Sequence, residues 1–204
     1  MLKFVTKEDL YNRIKELIRD FEVIGPKELP GNGIFYQPLS GAEDLYLGDG
    51  FAIEPIKRFF LHPSEWIFQE EALSGRKRII IAVRPCEARG LALLDKVFNS
   101  EYKDKSYIHE RDRSVLIGLS CLSPDRGCFC ASMGGAPTDS RGMDALIFAA
   151  ADKFIVEIVT DKAKVIFADL GRELSKEEKK AWEAEKEKSG SKLEKKINPP
   201  EDLS

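Results

Sequence analysis

Two stretches hold the most continuous apolar character in the chain. RKRIIIAVRP is a basic lead-in followed by the run Ile79–Val83, and SVLIGLSC runs from Ser114 to Cys121. Unbroken runs of this length, rich in β-branched residues, predict strands buried on both faces. Between them, Leu91, Leu94, Val97 and Phe98 fall on one side of a helix that opens near Cys86 and would cover the sheet. Strand, helix and strand in that order predict a βαβ unit with parallel strands and a right-handed crossover. Upstream, Thr6 reads as an N-cap, and Leu10, Ile14, Leu17, Ile18 and Phe21 share one face of a first helix.

The remaining pattern is shorter-ranged. Pro26, Pro30, Gly31 and Gly33 punctuate a loop, and GIFYQPL and DLYLG read as short strands about a turn at Ser40-Gly41. Pro63-Ser64-Glu65 marks a helix start, with Trp66 and Phe68 as aromatic anchors. DALIFAA, KFIVEIVT and AKVIFADL read as three strands, the last two forming a hairpin about Asp161-Lys162. Ser175 with Glu178 is a capping-box signature for a charged helix whose apolar contacts are Ala181, Trp182 and Ala184. The expected fold is α/β: a mixed sheet with a parallel βαβ core, a C-terminal antiparallel hairpin and flanking helices. The expected organisation is one α/β domain over residues 1–170, then a charged helix and a linker or tail over 171–204.

Composition narrows the function classes. With 43% hydrophobic residues among 204, the chain can build a real core, and a net charge of -3 gives no general attraction for nucleic acid. The opening MLKFVTKEDL lacks the pattern of a signal peptide, and no apolar stretch is long enough to span a bilayer. The expected location is the cytoplasm, where thiols stay reduced. No G-x-G-x-x-G follows a strand and no P-loop lysine occurs, so nucleotide binding is not expected. The two histidines, His62 and His109, lie in polar contexts that suit solvated or structural roles, although YIHERDR leads into the strand ending at Cys121 and would let His109 neighbour the cysteines.

The candidate chemistry lies in the four cysteines. Cys86 follows one predicted buried strand and Cys121 ends the next, while Cys128 and Cys130 follow in a loop containing Gly and Pro. In an open parallel sheet, ligands gather outside the carboxyl ends of the strands, so neighbouring strands would put all four thiols on one rim. Cys86 at a helix N-terminus would be stabilised as a thiolate. Arg84, Arg89 and Arg126 lie close enough in sequence to offset thiolate charge and to donate hydrogen bonds to sulfur. The amides of MGGAP offer further donors. The spacing C-x34-C-x6-C-x-C is neither a bacterial ferredoxin run nor a zinc-ribbon pair of knuckles. It leaves open an iron–sulfur cluster, a structural zinc site in a scaffold module, a reversible Cys128–Cys130 thiol pair, and buried small hydrophobes. Glu87 and Asp125 read as capping or turn residues.

RPCEARGLALLDKVF, YIHERDR, LIGLSCLSPDRGCFCASMGGAP and DALIF together resemble an iron–sulfur subunit family. That family includes the beta subunit of archaeal and bacterial sulfhydrogenases and an iron–sulfur subunit of anaerobic sulfite reductase. PIKRFFLHPSEWIFQ is similar to the family's upstream K-x-F-x-x-P-x-E element. The resemblance implies an electron-transfer subunit working between a flavin or ferredoxin-type partner and a catalytic subunit. It makes Cys86, Cys121, Cys128 and Cys130 the matching positions for a [4Fe-4S] ligand set, which a metal-free preparation would show as thiols. The family's C-terminal ferredoxin-type module is expected to begin about where these residues end, at NPPEDLS, so at most one cluster is implied here.

Overall fold

A computed structural model describes residues 1–48, 50–61, 75–121, 123–125, 127–150 and 153–191. The helix expected from Pro63, His62 and the anchors Trp66 and Phe68 lie outside the described residues. The architecture is α/β, as expected: an eight-stranded mixed sheet with helices on both faces.

The chain opens with β1 (Leu2–Thr6), α1 (Lys7–Asp20), β2 (Glu22–Leu29) and β3 (Gly33–Pro38). The core unit is β4 (Arg78–Val83), α2 (Pro85–Phe98), α3 (Lys105–Asp112) and β5 (Ser114–Leu119). Then follow β6 (Ala145–Ala150), β7 (Lys153–Ile158), α4 (Asp161–Phe167), β8 (Arg172–Glu173) and α5 (Lys176–Ser191). The strand order is β3-β2-β4-β5-β6-β7-β1-β8. The central pairs β2–β4, β4–β5 and β5–β6 are parallel; the outer ones are antiparallel.

All six residues of β4 are buried, and β5 is nearly so, which is why both read as continuous apolar runs. Odd-numbered Ile79, Ile81, Ile117 and Leu119 pack with Leu10, Ile14 and Leu17 of α1 and with Ala163, Ile166 and Phe167 of α4. Even-numbered Ile80, Leu116 and Leu146 pack with Ala88 and Leu91 of α2 and Tyr107 of α3. Phe148, two residues beyond Leu146 on the same face, packs with Trp182 of α5 and Leu174.

The caps follow the expected chemistry. The Thr6 side chain accepts from the Asp9 amide. At α5 the Glu178 amide donates to Ser175 Oγ at 3.2 Å, and the Ser175 amide donates to Glu178 Oε2 at 2.8 Å, a reciprocal capping box.

Four local expectations are corrected. AKVIFADL is helical over Asp161–Phe167, so the hairpin about Asp161-Lys162 does not exist; the antiparallel pair is β6 with β7. Residues Asp44–Gly48 of DLYLG form no strand. The loop expected around Pro26 is strand β2. Its pairing with β4 ends at Ile24, and the Pro26 carbonyl accepts from the Tyr46 amide, away from β3, so the missing N–H costs no ladder bond. Val97 points to solvent at 62% exposure; Leu91 carries the buried face of α2.

Asp95 joins α2 to α3. It accepts from Tyr107 Oη at 2.7 Å and from Arg111 Nε at 2.8 Å and Nη2 at 2.9 Å. Burial opposes its charge, but the bonds from Arg111 and Tyr107 outweigh it and hold the carboxyl below the usual 3.8. A depressed folded pKa contributes stability that is present above the unfolded value and is lost as pH falls through the folded one. Asp95→Asn should therefore lower stability at neutral pH by about 1 kcal/mol after solvent screening. The gap from the native protein should close below about pH 4. Urea unfolding across pH checks this; a constant gap would remove the ionic contribution.

Candidate metal centre

Both parallel core strands end on the same edge of the sheet. β4 and β5 are direct neighbours, with Arg78 opposite Ser114 and Val83 opposite Gly118. Their continuations therefore place Cys86 and Cys121 along one carboxyl rim. The register shifts between Ile81 and Val83, and Ala82 between them has φ 61°, the one positive φ at a non-glycine among the described residues. This strained bulge precedes the turn into α2 and sets the angle at which Cys86 leaves the sheet. Pro85 opens α2, where its fixed φ and missing N–H suit the first turn.

The second thiol pair arrives by an unusual crossover. Parallel strands need a long connection, and a helix commonly supplies it. Between β5 and β6, the described residues from Cys121 to Asp144 form turns and no helix. This loop folds back on the rim through backbone bonds: the Cys121 amide donates to the Pro137 carbonyl at 2.9 Å, and the Gly135 amide to the Cys130 carbonyl at 2.8 Å. Arg89 of α2 fastens it from below, donating to the Met133 carbonyl at 2.7 Å. Gly135 lies close against this arginine: a Cβ there would collide with Arg89 Nη1.

None of the four cysteines is in a disulfide; Cys86 is exposed and the other three are half-buried. The thiols lie close enough to feel one another's charge, Cys86 with Cys130 and Cys121, and Cys130 with Cys128. Although Cys86 as a residue keeps solvent contact, desolvation of its sulfur raises the thiol to about 11, and charge at Glu87, Cys130 and Cys121 adds to this. Burial also raises Cys130, with Cys128 adding. Nearby backbone amides oppose these effects in part. The Asp125 amide donates to Cys128 Sγ at 3.2 Å, while the Glu87 amide donates within α2 to the Arg84 carbonyl at 3.0 Å.

Of the three arginines expected around these thiols, Arg89 is beside Cys130 and lowers its thiol pKa through its charge. Arg84 is buried and its donors are committed elsewhere: to the Ser120 carbonyl at 3.3 Å, Gly48 at 2.6 Å and Gly50 at 2.8 Å, with its guanidinium 5.4 Å from the Phe51 ring centre. It ties the loop before α2 to the end of β5, and none of these bonds goes to a sulfur. Arg126 lies outside the described residues. His109 belongs to α3, which precedes β5; it lies toward the amino edge of the sheet, opposite the cysteines, and its expected neighbourhood with them is not found.

Two further residues matter at the rim. Glu87, which the sequence suggests as a capping residue, instead crosses to the β2–β3 hairpin: it accepts from Tyr36 Oη at 2.8 Å and from the Ile56 amide at 3.1 Å. Burial raises its carboxyl pKa against those bonds. Ser120 is 3% exposed, and its Oγ has no hydrogen-bond partner among the described residues. No spacing in the sequence signals either, since both depend on what packs across the rim.

Among the described residues, no three Cys, His, Asp or Glu side chains stand together at the spacing of a metal centre. The donor set nonetheless fits a thiolate-held group: four cysteines around one rim, with the Asp125 amide already donating to Cys128 Sγ. Loading requires the thiols to draw in and lose their protons.

The chain is 27% identical over 202 residues to sulfhydrogenase 2 subunit beta of Pyrococcus furiosus. It is a distant relative of that subunit. The match covers 93% of this chain and 58% of the relative, so the chain spans less than two thirds of the relative's length. No family model matches the chain, and no solved structure matches it. Among the described residues, no helix is long and apolar enough to cross a membrane.

Proposed function

We propose that this chain is an electron-relay subunit that holds one [4Fe-4S] cluster on Cys86, Cys121, Cys128 and Cys130. It would serve a hydrogenase or a sulfite- or sulfur-reductase complex, beside a flavin or ferredoxin-type partner and a catalytic subunit, in the reducing cytoplasm. The observation that carries this reading is the gathering of the cysteines at the one rim where the parallel strands β4 and β5 end, with the Asp125 amide already donating to Cys128 Sγ. The distant relation to a sulfhydrogenase subunit supports it independently.

A bound cluster supplies one-electron transfer and no bond chemistry. The chain's own residues do the rest. Cys86 is held at the start of α2 by the Pro85 turn, and Cys121 at the end of β5 by its amide bond to Pro137. Arg89 ties the loop bearing Cys128 and Cys130 to α2. Phe129 and Met133 stand exposed on that loop at 53% and 52%, so the rim meets solvent where a partner could approach for short-range electron transfer.

The test is iron, acid-labile sulfide and zinc per chain on protein purified without oxygen, with an EPR spectrum after dithionite reduction. About four iron and four sulfide with a reduced-cluster signal are expected. Stoichiometric zinc without sulfide would make the rim a structural zinc site in a scaffold module. A metal-free protein with a titratable dithiol would favour a thiol-redox role for Cys128 and Cys130.

A further inference from the structure

Ser120 directly follows β5: its amide donates to the Ile147 carbonyl at 2.8 Å, continuing the pairing with β6. Side chains alternate along such a strand, so Ser120 shares a face with Leu116 and Gly118. That face is the one α2 covers: Leu116 packs with Ala88 and Leu91, and a Cβ on Gly118 would meet Met143 and Leu146 of the same cluster. That alternation puts Ser120, at the rim, on the face that α2 covers, where α2 begins at Pro85. Arg84 reaches the Ser120 carbonyl, not its hydroxyl. The residue is 3% exposed, and its Oγ has no hydrogen-bond partner among the described residues. A hydroxyl sealed from water without a partner destabilises the fold around it, and one that persists at a rim of thiols calls for an acceptor that arrives later.

The geometry points to Ser120 as a positioning residue whose hydroxyl donates a hydrogen bond to a sulfur of the loaded centre, against the first turn of α2. This rests on the thiolate-centre reading above and adds to it a side-chain donor alongside the Asp125 amide. A donor to sulfur stabilises the more negative, reduced state, so it raises the reduction potential.

The test compares Ser120→Ala with Ser120→Thr, which keeps the hydroxyl. In metal-free protein, S120A is expected to melt at or above the temperature of the native chain, because an unpaired buried hydroxyl is lost. Melting below it overturns the inference. In protein loaded without oxygen to the native iron and sulfide ratio, S120A is expected to move the reduction midpoint to lower potential and S120T to restore it. An unmoved S120A midpoint overturns the inference, and so does an equal shift in S120T. Lost loading in S120A supports it if S120T rescues loading and overturns it if not. If the native chain takes zinc and no sulfide, the cluster reading fails alone. Ser120 is then judged on cobalt(II)-loaded protein: a displaced sulfur-to-cobalt charge-transfer band in S120A but not in S120T supports the inference, and any other pattern overturns it. A native chain that binds no metal overturns both.

Discussion

Cys121→Ser is expected to yield a colourless protein, with iron and labile sulfide near zero, that is folded as well as the native chain. The two halves of this result have separate causes. Iron–sulfur groups are held by soft thiolates, and a serine alkoxide at the same position is a poor substitute. Cys121 also occupies the pivot of the rim. It follows the strand next to the one that leads to Cys86, and it begins the loop that delivers Cys128 and Cys130. Losing it removes the ligand that joins the two parts of the set. The fold should not notice. Cys121 is half-buried and belongs to none of the apolar clusters of the core, and its anchoring bond to Pro137 comes from its backbone amide. A same-sized swap at such a position should change stability by less than about 1 kcal/mol. Anaerobic metal analysis with far-UV circular dichroism and urea unfolding reads both halves. A persistent chromophore at full stoichiometry would remove Cys121 from the ligand set. A collapsed fold would show that the residue is structural.

What could be read from the chain before the structure depended on whether local pattern or distant packing decides each element. The runs Ile79–Val83 and Leu116–Leu119 admit little else than buried strands, and Thr6 and the Ser175–Glu178 box announce helix starts by chemistry that lies within a single turn. AKVIFADL is different. It alternates as a strand would, yet Ala163, Ile166, Phe167 and Leu170 also fit a helical stripe, and packing against the α1 face settles the matter. Pro26 argues against a strand only until one knows that the pairing of β2 with β4 ends at Ile24. The cysteine rim was legible because topology follows from strand order along the chain. The fates of Arg84, Glu87 and Ser120 were not. Arg84 is drawn to carbonyls of residues 48, 50 and 120, and Glu87 to Tyr36 and Ile56, all remote in sequence.

Glu110→Ala should produce the converse of the cysteine variant: a much less stable protein that still loads metal. Glu110 lies at the amino edge of the sheet, where β4 and β5 begin side by side. Its Oε2 accepts from Arg78 Nη1 at 2.9 Å and from Arg113 Nε at 2.9 Å, and the side chains of Glu110, Arg78 and Arg113 are 7%, 10% and 14% exposed. Arg78 completes its fan with Glu22 Oε2 at 2.9 Å and the Phe59 carbonyl at 2.9 Å. Removing the carboxylate leaves two buried guanidiniums sharing Glu22, whose side chain is 35% exposed and therefore partly screened. Breaking a buried pair from one side costs about 3–5 kcal/mol, because the remaining charge stays desolvated. That is a large share of a typical total of about 5–15 kcal/mol. Glu110→Gln should lose less, since its amide oxygen can still accept from both arginines and only the charge is lost. Urea unfolding measures the cost, and a loss under about 1 kcal/mol for E110A would show that solvent already screens the network. Because this network and the cysteines occupy opposite ends of the same two strands, E110A kept cold enough to remain folded should bind the native amount of iron and sulfide. If it lost metal in proportion to stability instead, the rim would depend on how tightly the strands are pinned at their far ends.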